Sequence, residues 1–213
     1  MRSGRDPGEV ALVAASKSAD GGAIRALALA GQTAFGENRV QEALAKSRSP
    51  SLAGLDIDWH LIGHLQGNKA RAAVETFDTV QSVDSLEIAA DLSRRAIALG
   101  RVLPVMLQVN VDEDPTKQGF YTGSLLAEFG SLVALDGLRV DGLMTIGAQV
   151  ATAEAARPTF AALRAIRGRL DELGLAPALR HLSMGMSQDF EVAIDEGATI
   201  VRVGRLLFDG ELK

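Results

Sequence analysis

The sequence predicts an α/β fold, a single (β/α)8 TIM barrel without a C-terminal β domain, and three observations carry that expectation. Short β-rich runs alternate with longer helix-period segments from one end of the chain to the other, with no linker or low-complexity stretch between them. Eight such runs in 213 residues leave about 27 residues for each strand-helix unit, near the lower end of what a (β/α)8 barrel requires. A doubly wound open sheet is the runner-up, but the glycine-rich GxGxxG first turn by which it commonly announces itself is absent.

The expected strands, in order, are VALVAAS (10–16), TAFG (33–36), WHLIGHL (59–65), TVQSV (79–83), VLPVMLQVNV (102–111), RVDGLMTI (139–146), HLSMG (181–185) and TIVRVGRLLF (199–208). Helix-period segments lie between them, among them IRALALAG, ENRVQEALAKSR, SLEIAADLSRRAIALG and the long ATAEAARPTFAALRAIRGRLDELG. Several end in a glycine just past the last apolar position, as a helix C-terminus prefers. Residues 1–213 are read as one domain.

Composition excludes several classes of function. With 47% hydrophobic and 23% charged residues, the chain has what a soluble, well-cored domain needs. The absence of cysteine removes disulfides, thiolate metal sites and cysteine nucleophiles, and it fits a reducing compartment, so cytoplasm is the expected location. A net charge of −5 without a basic run argues against nucleic acid, and 4% aromatics leaves few platforms for stacking bases. The opening MRSGRDPGEV lacks the apolar core of a signal peptide, and no window approaches a membrane-spanning length.

In a (β/α)8 barrel the site is assembled at the C-terminal ends of the strands. Lys17 directly follows the apolar run of the first strand. It either opens a solvated loop or is delivered into an enclosed site, where desolvation lowers its pKa and frees the amine to form a Schiff base with an aldehyde. Loops seven and eight are the frequent phosphate-binding place in barrels, and MGMSQDFEVAIDEG reads as a small-residue turn with Ser187 capping a helix, where a hydroxyl and free amides could hold an anion. Arg202 lies in TIVRVG, pointing either into the barrel or out at the helices, and needs a partner in both cases. An imine-forming lysine, an arginine and a phosphate cradle on one barrel mouth together describe a pocket for pyridoxal 5′-phosphate, with arginine on the pyridine nitrogen.

SK (16–17), FGENRVQEAL (35–44), WHLIGHLQGNK (59–69), SVD (82–84), GLMTIG (142–147) and LSMGMSQDFEVAIDEGATIVRVG (182–204) carry a resemblance. The chain resembles the pyridoxal phosphate homeostasis protein family (YggS/PROSC type), whose barrel is similar to the N-terminal domain of bacterial alanine racemase, over nearly its whole length. The resemblance implies that Lys17 forms the Schiff base, that Ser187 and the backbone of Gly204 and Arg205 hold the phosphate, and that Arg202 faces the pyridine nitrogen. It further implies that Asn38 and Met144 line the ring and its 3′-oxygen side, with His64 and Ser183 behind them orienting the others. The implied function is control of free pyridoxal phosphate, with indirect effects on amino-acid and keto-acid balance and with PLP-dependent apo-enzymes as possible acceptors; a monomer is expected.

The chain departs from the family pattern in three places. Its first strand begins by about residue 10, where relatives carry a preceding amphipathic helix; either that helix is lost or the true start lies upstream, and an uncovered apolar patch there would favour association. Ser18-Ala19-Asp20 stands where relatives have threonine and then proline, which implies a looser first loop, and Arg205 replaces a small hydroxyl residue.

A weak PLP-dependent amino-acid racemase is the alternative function, but it needs a second base. The single tyrosine, Tyr121, is expected to be a half-exposed loop residue, and arginine at the pyridine nitrogen weakens the ring as an electron sink. No enzymatic activity is therefore expected. A lysine-dependent aldolase on the same barrel is a third reading. No metal site is expected: His60 and His64, four apart on the third expected strand, share a face, but no carboxylate or third histidine follows at ligand spacing.

Overall fold

Eight parallel strands close on themselves in chain order in the computed structural model, which describes residues 3–148, 150–175 and 179–209. They are β1 (Ala11–Ala15), β2 (Ala34–Glu37), β3 (Asp58–Leu61), β4 (Thr79–Val83), β5 (Leu103–Gln108), β6 (Leu138–Met144), β7 (His181–Ser183) and β8 (Ile200–Val203). β8 pairs back onto β1 in a register running from Ala11 opposite Ile200 to Ala14 opposite Val203. The ring is covered outside by α1 (Gly21–Leu29), α2 (Val40–Ser47), α3 (Ala70–Thr76), α4 (Leu86–Ala98), α5 (Thr122–Val133), α6 (Arg157–Glu172), α7 (Phe190–Asp195) and α8 (Arg205–Phe208). The expected barrel is therefore the observed one.

The two-residue period of a strand sorts side chains between the inside of the ring and its helical jacket. Val201 and Val203 belong to the large core cluster shared with the helices, whereas Ile200 joins Val13, Ile62, Met106 and Met144 in a small separate cluster. These five residues come from five different strands or strand ends, so they form the apolar filling of the barrel. Arg202 has the parity of Ile200 and therefore points inward.

Three expected strands end three or more residues early. β3 stops at Leu61, which leaves His64 in the following loop, and the shared strand face of His60 and His64 does not exist. β5 stops at Gln108, so Asn110 is a loop residue. The run TIVRVGRLLF is strand only over Ile200–Val203; the chain turns at Gly204, and Leu206, Leu207 and Phe208 pack against the core from α8. Short apolar runs do not distinguish a buried strand from a buried helix, which is why this boundary was hidden.

Among the described residues, no helix is long and apolar enough to cross a membrane, and no group of three potential metal ligands occurs. Outside β1 and β8 a cavity of about 750 Å³ opens, lined in part by Val10, Leu12, Val201, Val203 and Leu206. This is the stretch of barrel wall for which thin cover was expected. Arg5 closes one side of it by donating to the carbonyls of Ile194 (3.1 Å) and Ala198 (2.6 Å).

Candidate functional site

Ser16 follows the last residue of β1, and the Ala19 N–H donates to the Ser16 carbonyl at 2.9 Å, closing a four-residue turn around Lys17 and Ser18. Asp20 then caps α1 by accepting from the Ala23 N–H at 2.8 Å. Lys17 thus stands on a tight connection, at the rim of the barrel. It is exposed rather than enclosed, and among the described residues it has neither a hydrogen bond nor an ion pair.

Arg202 is the opposite case. It is 4% exposed, and its two terminal nitrogens donate to Ser183 Oγ (2.7 Å) and the Thr145 carbonyl (2.9 Å). Burial pulls its pKa down to about 10, with Asp189 acting weakly in the other direction, so it remains charged at neutral pH. Ser183 Oγ in turn donates to Gln81 Oε1 (2.6 Å), Gln81 Nε2 meets His60 Nδ1 (2.8 Å), and His60 Nε2 meets Asp58 Oδ2 (3.0 Å). With Gln81 donating, His60 is neutral with its proton on Nε2, directed at Asp58. His60 and Ser183 are thus parts of one interior chain that fixes the arginine. Gln81 was not expected in it.

The seventh and eighth loops meet where the Gly204 N–H donates to Ser187 Oγ at 3.3 Å. Ser187 is therefore not a helix cap. The position before α7 is Asp189, whose carboxylate accepts instead from the Met186 N–H at 2.7 Å. Gly185 makes this turn possible, with φ of +91° and only 2.5 Å between an added Cβ and Ala193 Cβ. At Gly204 an added Cβ would lie 2.9 Å from the Ala15 carbonyl oxygen, so backbone alone faces the mouth there. Ser187 and the exposed Arg205 border a cavity of about 640 Å³ together with Gly147, Gln188 and Asp189; neither Lys17 nor Arg202 lines it.

The remaining expected residues divide. Met144 is fully buried in the barrel filling, so it can floor the mouth but not wall it. Asn38 is half-buried, and its backbone lies so close to Gly63 that a Cβ there would meet the Asn38 carbonyl oxygen at 2.4 Å. His64 is exposed, paired through Nδ1 with Asp84 Oδ2 at 2.9 Å, and so belongs to the rim rather than to the arginine chain. Tyr121 is 44% exposed, as expected of a loop residue.

The family model for the alanine racemase N-terminal domain matches residues 3–211. Pyridoxal phosphate homeostasis proteins of Aquifex aeolicus and Pseudomonas aeruginosa are 42% and 44% identical, over 100% and 96% of this chain and 91% and 86% of theirs. The chain belongs to the pyridoxal phosphate homeostasis protein family. PipY of Synechococcus elongatus, solved with pyridoxal phosphate bound, superposes with a TM-score of 0.87 at 45% identity, covering 97% of this chain and 95% of that one.

The groups at the mouth are chemically suited to a phosphorylated pyridine aldehyde. An amine after β1 with no partner among the described residues, a donor-only guanidinium inside β8 and a hydroxyl–amide pair joining the loops after β7 and β8 all lie toward the C-terminal ends of the strands. The 3.3 Å contact between Ser187 and Gly204 is long, and an anionic oxygen could replace it with two shorter, charge-assisted bonds.

Proposed function

We propose that this protein holds pyridoxal 5′-phosphate at the mouth of its barrel and, by binding and releasing it, controls the free concentration of that aldehyde. When bound, pyridoxal phosphate supplies an aldehyde with which a lysine amine condenses to a Schiff base, losing water. Lys17 is the amine. Ser187 Oγ and the backbone N–H groups of Gly204 and Arg205 hold the phosphate, and Arg202 donates to the pyridine nitrogen, with Asn38 beside the ring and Met144 beneath it. Because a guanidinium has no acceptor, Arg202 leaves that nitrogen unprotonated, which suits storage better than carbanion chemistry.

The observation that carries the reading is the inward-facing, charged Arg202 in β8, the strand paired with β1, together with the exposed Lys17 that follows β1 and has no partner among the described residues. The names of the relatives and the bound ligand of PipY point the same way. We assign the chain as a monomeric cytoplasmic carrier whose acceptors are PLP-dependent apo-enzymes; the absence of cysteine agrees with that compartment. No second acid-base group is assigned opposite Lys17, so racemisation is not part of the proposal.

Thermal unfolding tests it. Pyridoxal phosphate at about a hundredfold excess over its Kd stabilises the folded state by about 2.7 kcal/mol. That raises the Tm of a chain this size by roughly 5–10 °C. Sugar phosphates should give no such shift, and the loaded protein should not exchange the α-hydrogen of alanine or serine in deuterated water. A shift with sugar phosphates alone would favour the aldolase reading, and α-hydrogen exchange the racemase.

A further inference from the structure

Glu37, the last residue of β2, is a carboxylate with 0% exposure. Its Oε1 accepts two short hydrogen bonds, from Ser16 Oγ at 2.6 Å and from Lys46 Nζ at 2.7 Å, while its Oε2 is buried with no partner among the described residues. Lys46, near the end of α2, also donates to the Ser16 carbonyl at 2.7 Å. That carbonyl is the acceptor that closes the turn around Lys17. Ser16 is held a fourth way by its own N–H, which donates to the Gly36 carbonyl at 2.9 Å. Every polar atom of Ser16 is therefore fixed, and the next residue is the exposed lysine.

An ion pair whose carboxylate is fully buried and whose lysine is 18% exposed adds little stability, because desolvation offsets most of its attraction and an apolar pair of similar volume serves as well. Its geometry has a more specific consequence. We infer that Glu37 and Lys46 are positioning residues for Lys17: the pair clamps the Ser16–Ala19 turn so that the Lys17 amine stands in one place relative to the barrel mouth. This rests on the assignment of Lys17 as the residue that attaches pyridoxal phosphate. In that step Nζ attacks the aldehyde carbon, a C–N double bond forms, and the carbonyl oxygen leaves as water with the two amine protons. Holding the nucleophile accelerates attachment without changing how the phosphate or the ring is gripped, because Ser187, Gly204 and Arg202 lie on other strand ends.

The test compares wild type with Lys46→Met and with the charge-free double variant Glu37→Gln/Lys46→Met, which leaves no lone buried charge. Three quantities are read: the growth of visible absorption after mixing with pyridoxal phosphate, the affinity for pyridoxamine 5′-phosphate, which has no aldehyde, and the Tm of the chain alone. Attachment should slow by roughly tenfold to a hundredfold in the double variant, while pyridoxamine phosphate affinity stays within about twofold. An attachment rate within about twofold of wild type overturns the inference, as does a parallel loss of both, since a purely structural role weakens both. If wild type itself attaches no pyridoxal phosphate, the assignment of Lys17 fails first, which is a distinct result.

Discussion

Lys17 and Arg202 sit at opposite extremes of solvation: the amine is exposed, while the guanidinium is 4% exposed and lacks a carboxylate partner among the described residues. A buried cation with only the weak pull of Asp189 to compensate it costs several kcal/mol, of which the bonds to Ser183 and Thr145 return only part. Arg202→Met should therefore stabilise the chain alone by ~1–3 kcal/mol in urea unfolding while weakening pyridoxal phosphate at least ~10-fold in equilibrium titration. A destabilised variant that binds normally would show that Arg202 is there for the fold. The sequence pointed to Arg202 but left its direction open, and only its parity with Ile200 resolves it. Gln81 carried a readable signal, a lone amide in the middle of the short strand run TVQSV. Glu37 and Lys46 carried none, because their contact depends on how α2 folds back over β2, which no local pattern encodes.

At the scale of elements, strand starts were legible and strand ends were not. β3, β5 and β8 all stop before their apolar runs do, because residues such as Leu65, Val109 and Leu206 continue beyond the last pairing and pack against the core. Apolar content therefore outlasts the ladder where the loops are built for a site. β7 makes a prediction of its own through His181, its first residue, which touches Thr199 Oγ1 at 3.3 Å. Burial lowers its pKa; Asp141 opposes the shift, and Arg180 and Arg139 add to it. The unfolded chain binds a proton at this imidazole near pH 6.5 and the folded chain only at lower pH. Stability should thus fall as pH drops through about 6.5, and His181→Asn should flatten that part of a Tm-against-pH curve. An unchanged slope would place the acid sensitivity elsewhere.

For the molecule as a whole, alternation of period-2 and helix-period segments made the barrel legible, since eight such units have few other ways to bury both faces of a parallel sheet. The site was legible as a list of strand-end residues, and the fold turns that list into a rim. What the rim is for depends on one bond. The most direct measurement is an absorption spectrum of the purified protein with pyridoxal phosphate, before and after borohydride, beside Lys17→Ala treated in the same way. Visible absorption that borohydride removes from the wild type, and that the variant never develops, is the expected result. A wild type that stays colourless with added pyridoxal phosphate would contradict the account and return Lys17 to a solvated loop.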